Sequence, residues 1–151
     1  MYNYVITCMV AAWTAGQLLK TFLYLLKRKV FNVERLFGAG GMPSTHSAFV
    51  IAGLVAVGRE TGVGSVEFAI MFGLSAIVIY DALGVRHAAG QHAKAINKIN
   101  RYFASNDSEE EITFDKDDIK ELKELLGHTP PEVLAGIVLG AVVAFVVPMY
   151  L

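Results

Sequence analysis

The sequence predicts an all-α protein, a polytopic membrane helical bundle with about four transmembrane helices and short cytoplasmic helices. Hydrophobic residues make up 54% of the 151-residue chain, and its mean hydropathy is +0.48. These residues occur in long runs rather than in amphipathic alternation, which is typical of membrane-spanning helices. Most of the polar residues are gathered in a single segment, 86–127. We therefore expect a single membrane domain over residues 1–151.

Four apolar runs are candidates for spans: 4–26, 43–58, 67–85 and 131–151. The first contains Gln17 and Lys20, and Lys20 is close enough to the end of the run for its ammonium to reach the lipid headgroups. After Glu67 the third is interrupted only by Asp81, and the fourth has no charge after Glu132. The second is short, and it reaches the length of a span only when the turn that precedes it is included.

The distribution of lysine and arginine predicts which side of the membrane each connection occupies. The first connection carries Lys27, Arg28, Lys29 and Arg35, and segment 86–127 carries seven basic residues. The second connection holds only Arg59. Because basic connections stay in the cytoplasm, we expect a multi-pass cell-membrane protein with these two connections inside. The net charge of −1 gives no basic surplus for a nucleic-acid partner, and the single cysteine, Cys8, has no partner for an intramolecular disulfide.

The cytoplasmic polar segment divides into a basic part and an acidic part. Residues 87–103 have Ala89, Ala93 and Ile96 at helical spacing, which predicts a basic interfacial helix. In the acidic part, 106–111 is predicted to be a solvated turn and 117–126 a short amphipathic helix that Gly127 ends.

Two histidines stand at the predicted starts of hydrophobic helices. His46 lies in Gly40-Gly41-Met42-Pro43-Ser44-Thr45-His46-Ser47, and His128 lies in Gly127-His128-Thr129-Pro130-Pro131-Glu132. The loop charges place both helix starts at the cytoplasmic face. Free N–H groups and the helix dipole attract anions at helix N-termini, so the pair predicts a shared phosphate site.

Local spacing adds detail to both helix starts. Ser44 is a predicted N-cap, and Thr129 with Glu132 fits a capping box, which by itself would explain the glutamate. Glu132 also follows His128 by four residues, so its carboxylate can orient the ring and stabilise an imidazolium. Such a base with an orienting partner is typical of nucleophilic catalysis.

These residues resemble known motifs. Pro43-Ser44-Thr45-His46 resembles the P-S-G-H motif of the type-2 phosphatidic acid phosphatases and vanadium haloperoxidases, and His128-x-x-x-Glu132 resembles the H-x-x-x-D end of their third motif. The Gly-Gly-Met-Pro-Ser-Thr-His-Ser run, residues 80–86, Asn97 and residues 126–130 look specifically like the small divergent bacterial branch of that superfamily.

The resemblance implies a set of catalytic roles. His128 would attack phosphorus to form a phosphohistidine, Glu132 would support it, and His46 would protonate the leaving group. Ser44 and nearby backbone amides, with Gly41 in the glycine cluster, would hold phosphate oxygens. The implied mechanism needs no metal and no cofactor.

The chain also departs from the superfamily pattern. Its K-x6-R-P motif is represented at best by Lys20 and Lys27, Glu121-Leu122 replaces the S-R ahead of the second histidine, and Thr45 replaces a glycine close to the phosphate. Because phosphoryl transfer needs cationic neutralisation, other residues must supply it. We expect Arg86 first, then Lys27, Arg28 and Lys94. Asp81 could pair with Arg86 or a histidine, or support a divalent ion.

The sequence thus predicts a membrane phosphatase that hydrolyses a phosphomonoester or diphosphate lipid, with the bilayer and the lipid phosphate as partners. The alternative is a non-catalytic protein of the same fold that binds or translocates a phospholipid headgroup. A third possibility is a small transport or channel subunit in which Asp81 and the histidines carry protons. The lipid and the oligomeric state, a homodimer included, stay open.

Overall fold

A computed structural model describes residues 2–28, 41–105, 122 and 127–149. This part of the chain forms five helices and no strand: α1 Tyr4–Arg28, α2 Thr45–Thr61, α3 Val66–Leu83, α4 Val85–Ser105 and α5 Pro130–Val146. The predicted all-α class is confirmed. The predicted turn at 106–111 and the helix at 117–126 lie outside the described residues, Leu122 excepted.

Side chains and glycines set the ends of the two helices that carry the histidines. Ser44 caps α2 by accepting the Ser47 N–H at 3.4 Å, as predicted. Gly62, with φ 84°, follows its last residue. At α5 the predicted capping box is present, and the Thr129 N–H donates to the Glu132 carboxylate at 3.1 Å. Both helices therefore begin where the sequence places them.

Helix α2 is the centre of the bundle and packs against α1, α3 and α5. It runs parallel to α5, because a Cβ on Gly136 would lie 2.3 Å from the Ser44 carbonyl oxygen and one on Gly140 would lie 2.4 Å from that of Ala48. The two backbones touch at these glycines, which form a Gly-x-x-x-Gly motif in the sequence, a pattern typical of closely packed helices. Their N-termini consequently meet, and the Ser44 N–H donates to the Glu132 carbonyl at 2.9 Å.

The distribution of large and small side chains is that of a membrane bundle. Apart from Tyr4, the buried core cluster is built from small residues: Cys8, Ala12, Ala48, Ala52, Ala56 and Ala144. The exposed surface carries large apolar ones: Ile6, Trp13, Phe22, Ile70, Phe72, Ile77, Val138 and Phe145. An aqueous fold would expose such residues only at a cost, whereas lipid is as apolar as they are, and small residues let helices approach closely.

Two helical segments of the described chain are long and apolar enough to cross a membrane, Tyr4–Leu26 and Val66–Tyr102. The second joins α3 to α4 through Gly84. Helix α5 is apolar but shorter, with 17 residues, and α2 has the same length. The four predicted spans therefore stay a prediction.

Candidate active site

The start of α5 is held against the junction between α3 and α4. The His128 N–H donates to the Ala82 carbonyl at 3.1 Å. Just before it, Gly127 has φ 81°, and a Cβ there would lie 2.4 Å from the His87 backbone nitrogen. Only glycine fits this conformation and this approach. The junction therefore fixes the position of His128 through its backbone.

Both histidines line one cavity of about 240 Å³. Their ring centroids are 6.3 Å apart, and the ring planes are inclined by 59°. The remaining lining consists of Ile77, Val78, Asp81, Ala82, Arg86 and Gly127. The structure thus brings the two histidine motifs together, although more than 80 residues separate them in the sequence.

Glu132 orients the His128 ring. Its Oε2 lies 3.2 Å from Nδ1 of His128, and the same oxygen accepts the Thr129 N–H at 3.1 Å. An ionised carboxylate only accepts, so this contact assigns the proton of a neutral His128 ring to Nδ1. The lone pair is then on Nε2. Glu132 therefore serves as helix cap and as orienting group at once.

The environment of the His128 ring favours its neutral form. Its pKa lies below the ordinary value, chiefly because burial disfavours the imidazolium. The Glu132 carboxylate raises this pKa in part, and the charges of Lys20 and Arg86 lower it again. His128 is 4% exposed, whereas His46 is exposed. The two rings thus differ in hydration.

Lys20 lies close to both histidines, although it is not among the residues that line the cavity. The expectation that its ammonium reaches the headgroups is wrong, because the side chain is only 5% exposed. Its charge acts on both His46 and His128, and a Cβ added at Gly41 would lie 3.8 Å from its stem. Its place at the start of the K-x6-R-P pattern is the signal that indicated it.

Arg86 and Asp81 form an ion pair at the cavity. Nε of Arg86 lies 2.6 Å from Oδ2 of Asp81, with side chains 54% and 41% exposed. The sequence left Arg86, a histidine or a divalent ion as possible partners of Asp81, and in the structure its partner is Arg86. Gly84 separates α3 from α4 between them and brings both side chains to the cavity.

Other predicted site residues do not line the cavity. The Ser44 side chain is fully buried, and its Oγ accepts from the Ser47 hydroxyl at 3.0 Å. Thr45 is buried against α1, where a Cβ on Gly16 would lie 2.9 Å from its methyl group. Lys94 is exposed on α4. The Lys27 side chain lies outside the described residues.

No three His, Cys, Asp or Glu side chains gather as a metal-ligand set within the described ranges. The groups present are two imidazoles, two carboxylates, a buried ammonium and a guanidinium. This arrangement can bind an anion, attack it from Nε2 of His128 and donate a proton from His46.

Comparison with known proteins decides the family. The Divergent PAP2 family matches residues 1–143 of this chain. The chain belongs to this family. A relative from Bacillus subtilis (strain 168), named "Uncharacterized membrane protein YuiD", is 36% identical over 151 residues, with 95% of each chain covered. No solved structure matches. The resemblance seen in the sequence motifs is confirmed at the level of the family, and the relative is a membrane protein.

Proposed function

We propose that this protein is a membrane lipid-phosphate phosphatase that hydrolyses a phosphomonoester or diphosphate lipid through a phosphohistidine at His128. The observation that carries the proposal is the pairing of the two rings: His128, with Nδ1 bound to Glu132, faces the same cavity as His46 at 6.3 Å between centroids.

In the first step, Nε2 of His128 attacks phosphorus while the bond between phosphorus and the lipid oxygen breaks. His46 donates a proton to that oxygen, so the lipid leaves as an alcohol, or as a monophosphate when the substrate is a diphosphate. The Glu132 carboxylate stabilises the positive charge that grows on the His128 ring.

In the second step, water replaces the enzyme as phosphoryl acceptor. The His46 ring, now neutral, takes a proton from the attacking water as the bond between phosphorus and Nε2 breaks. Inorganic phosphate leaves, and both histidines return to their starting protonation states. The same residue thus serves as acid and then as base.

Lys20 and Arg86 supply the cationic neutralisation that a phosphoryl group needs. Lys20 is buried beside the histidines, and Arg86 lines the cavity while its Nε is held by Asp81. This contact uses Nε and leaves the terminal nitrogens for a phosphate oxygen. The two residues would replace the arginines that the superfamily motifs carry.

The wall of the cavity supports a lipid substrate. Ile77, Val78 and Ala82 line it from α3, whose outer surface is also apolar. A chain attached to the phosphate can therefore lie along α3 without leaving an apolar environment. From the loop charges we infer a multi-pass protein of the cell membrane with the cavity at the cytoplasmic face.

The test is phosphate release by the purified protein from phosphatidate, phosphatidylglycerophosphate and a polyprenyl diphosphate, beside the His128→Ala variant. We expect release by wild type from at least one lipid and none above background by the variant. His92→Ala, which changes an exposed histidine outside the cavity lining, is the matched control and should keep wild-type release.

The alternative, headgroup binding or translocation without chemistry, is favoured by Glu121-Leu122, which replaces the S-R of the third motif. It predicts lipid-phosphate binding by wild type with no release from any substrate. Radiolabelled substrate separates the two further, because turnover through His128 leaves an acid-labile, base-stable label that His128→Ala lacks.

A further inference from the structure

Helix α4 projects from the bundle. Among the described helices it contacts only α3, the helix that precedes it in the chain. Its exposed apolar side chains include Ile96, Ile99 and Tyr102, at 44%, 53% and 63% exposure. The described part of the molecule therefore leaves an apolar face of this helix uncovered.

The charged residues of α4 are all basic. Lys94 and Lys98 are four residues apart and lie on one side of the helix, whereas Ile96 and Ile99 lie on the other. The 21 residues of α4 include Arg86 and Arg101 as well, and no aspartate or glutamate. A helix with an apolar face, a cationic face and no acidic residue is complementary to an anionic lipid surface.

A third face of α4 is anchored within the protein. Asn97 is 2% exposed, its Nδ2 donates to the Leu122 carbonyl at 2.9 Å, and its Oδ1 accepts the Leu122 N–H at 3.1 Å. Ala93, one turn earlier, is also buried. This anchor fixes the rotation of α4 about its axis, so the apolar and cationic faces have defined directions.

We propose that α4 docks on an anionic bilayer leaflet, with Ile96 and Ile99 inserted below the headgroups and Lys94 and Lys98 at the lipid phosphates. The docking is independent of catalysis. One consequence rests on the proposed function: because Arg86 is the second residue of α4, the docked helix holds the cavity at the depth of a lipid phosphate.

The experiment measures insertion depth in the full-length protein, reconstituted in nanodiscs. Single cysteines at Ile99→Cys and Lys98→Cys carry a bimane label, and lipids brominated on the acyl chain quench labels that lie within the bilayer. Cys8 is fully buried, and labelling of the unsubstituted protein gives its background. Ile70→Cys, on the exposed face of α3, reports correct insertion of each preparation.

In phosphatidylglycerol-rich nanodiscs we expect the Ile99 label to be quenched as strongly as the Ile70 label, and the Lys98 label to be unquenched. In phosphatidylcholine alone, or after Lys94→Glu with Lys98→Glu, quenching at Ile99 should fall to the Lys98 level while Ile70 is unchanged. Lys94→Gln with Lys98→Gln should give an intermediate loss.

Three results would overturn the proposal. The first is an Ile99 label that stays unquenched in anionic nanodiscs while Ile70 is quenched, which would indicate that a protein segment covers the apolar face. The second is equal quenching at Ile99 and Lys98. The third is quenching at Ile99 that is the same in both lipids and in the glutamate variant, since it would remove the role of charge. None of these readouts depends on phosphate release.

Discussion

The two ends of the bundle both bring a cation to α2 and α5, and they do opposite things with it. At one end Arg59 donates to the Ala144 carbonyl and to the Tyr4 hydroxyl, and Tyr4 donates to the same carbonyl at 2.7 Å. The guanidinium also lies 5.2 Å from the centre of the Phe145 ring. At this end the cation meets helix C-termini, whose dipoles carry negative charge.

At the other end Lys20 and Arg86 lie near the N-termini of α2 and α5, which carry positive charge. Glu132 and Asp81 offset part of this charge, and both already bond to His128 and Arg86. Among the described residues, the Arg59 end therefore pairs its cation with helix C-termini and encloses no described cavity residue, whereas the histidine end gathers two cations, two carboxylates and two helix N-termini close to a cavity. On the proposed function, a phosphate binds at the histidine end, and Arg59 serves stability alone.

The largest effect should follow from removing the buried cation of the histidine end. Lys20→Met keeps the apolar stem and deletes the charge, so turnover on a lipid phosphate should fall roughly 100- to 1,000-fold, the usual cost of losing one preorganised charge contact. Both variants are assayed in detergent micelles, which offer α4 no anionic leaflet, and Lys94→Met is the matched control: Lys94 is exposed and outside the cavity, so the change should leave kcat unchanged.

Melting temperatures of the same two variants distinguish a functional from a structural role. Lys20→Met keeps the buried apolar stem, so its melting temperature should fall less than that of Arg59→Met. Wild-type turnover in Lys20→Met would contradict the proposed role of Lys20 at the phosphate. A large loss of melting temperature would show that Lys20 is structural, like Arg59.

At the Arg59 end the loss should appear in stability. Arg59→Met removes a stacking contact and hydrogen bonds to Tyr4 and Ala144, together about 2 kcal/mol of unfolding free energy, or roughly 4–8 °C in melting temperature. Turnover per folded molecule should be unchanged. Thermal unfolding in detergent, with kcat measured on the same sample, checks both, and Glu60→Gln at the next position serves as control.

A loss of turnover in Arg59→Met at unchanged melting temperature would contradict this division between the ends. Tyr4→Phe refines it: the ring stays, the hydroxyl is lost, and about 1 kcal/mol of stability should go with it. The larger loss should belong to Arg59→Met.

Much of this organisation could be predicted from the sequence, because local patterns fix local structure. The capping residues Ser44 and Thr129 mark the helix starts, and the spacing of His128 and Glu132 gives their contact directly. Gly136 and Gly140 predict the close approach of a helix. Each of these inferences depends on neighbours within one or two turns.

The sequence did not predict which side chains are buried between helices, because that depends on which helices pack against each other. The burial of Lys20 follows from the approach of the glycine turn at Gly41, and the placement of Thr45 follows from the gap opposite Gly16. On α4 the spacing pattern grouped Ala93 with Ile96, but Ala93 is buried and Ile96 exposed. Periodicity defines faces of a helix, and only tertiary contacts decide which face is covered.

Substitution of Arg86 should have an intermediate effect on turnover. Arg86 lies at the histidine end, but its side chain is half-exposed and already paired with Asp81. Arg86→Ala should lower kcat/KM about ten- to a hundredfold, near the 1.4–2.7 kcal/mol of a charged hydrogen bond. Arg86→Lys should recover part of it, since lysine keeps the charge but cannot bond Asp81 and phosphate with separate nitrogens.

Asp81→Asn tests the same pair from its other side. The substitution frees the guanidinium without removing it. We therefore expect a change in KM for the lipid phosphate and little change in the melting temperature. If Arg86→Lys behaves like wild type while Arg86→Ala melts earlier with normal turnover, Arg86 anchors α4 and does not contact substrate.

The smallest effect is a displacement in pH, and it tests whether Glu132 acts electrostatically as well as by capping. Glu132→Gln keeps an oxygen that can accept the Thr129 N–H but removes the charge that raises the pKa of His128. Burial then lowers that pKa without opposition from the carboxylate. His128 attacks only as the neutral ring, so the acid limb of kcat/KM should move to lower pH, although turnover itself should fall. Where turnover is too slow to measure, the pKa of His128 read from ring-carbon NMR should move in the same direction.

Asp81→Asn, which removes a carboxylate that does not bond to His128, is the control and should leave the acid limb in place. An upward displacement in Glu132→Gln would mean that the limb reports a group other than His128, and the assignment of the nucleophile would have to change.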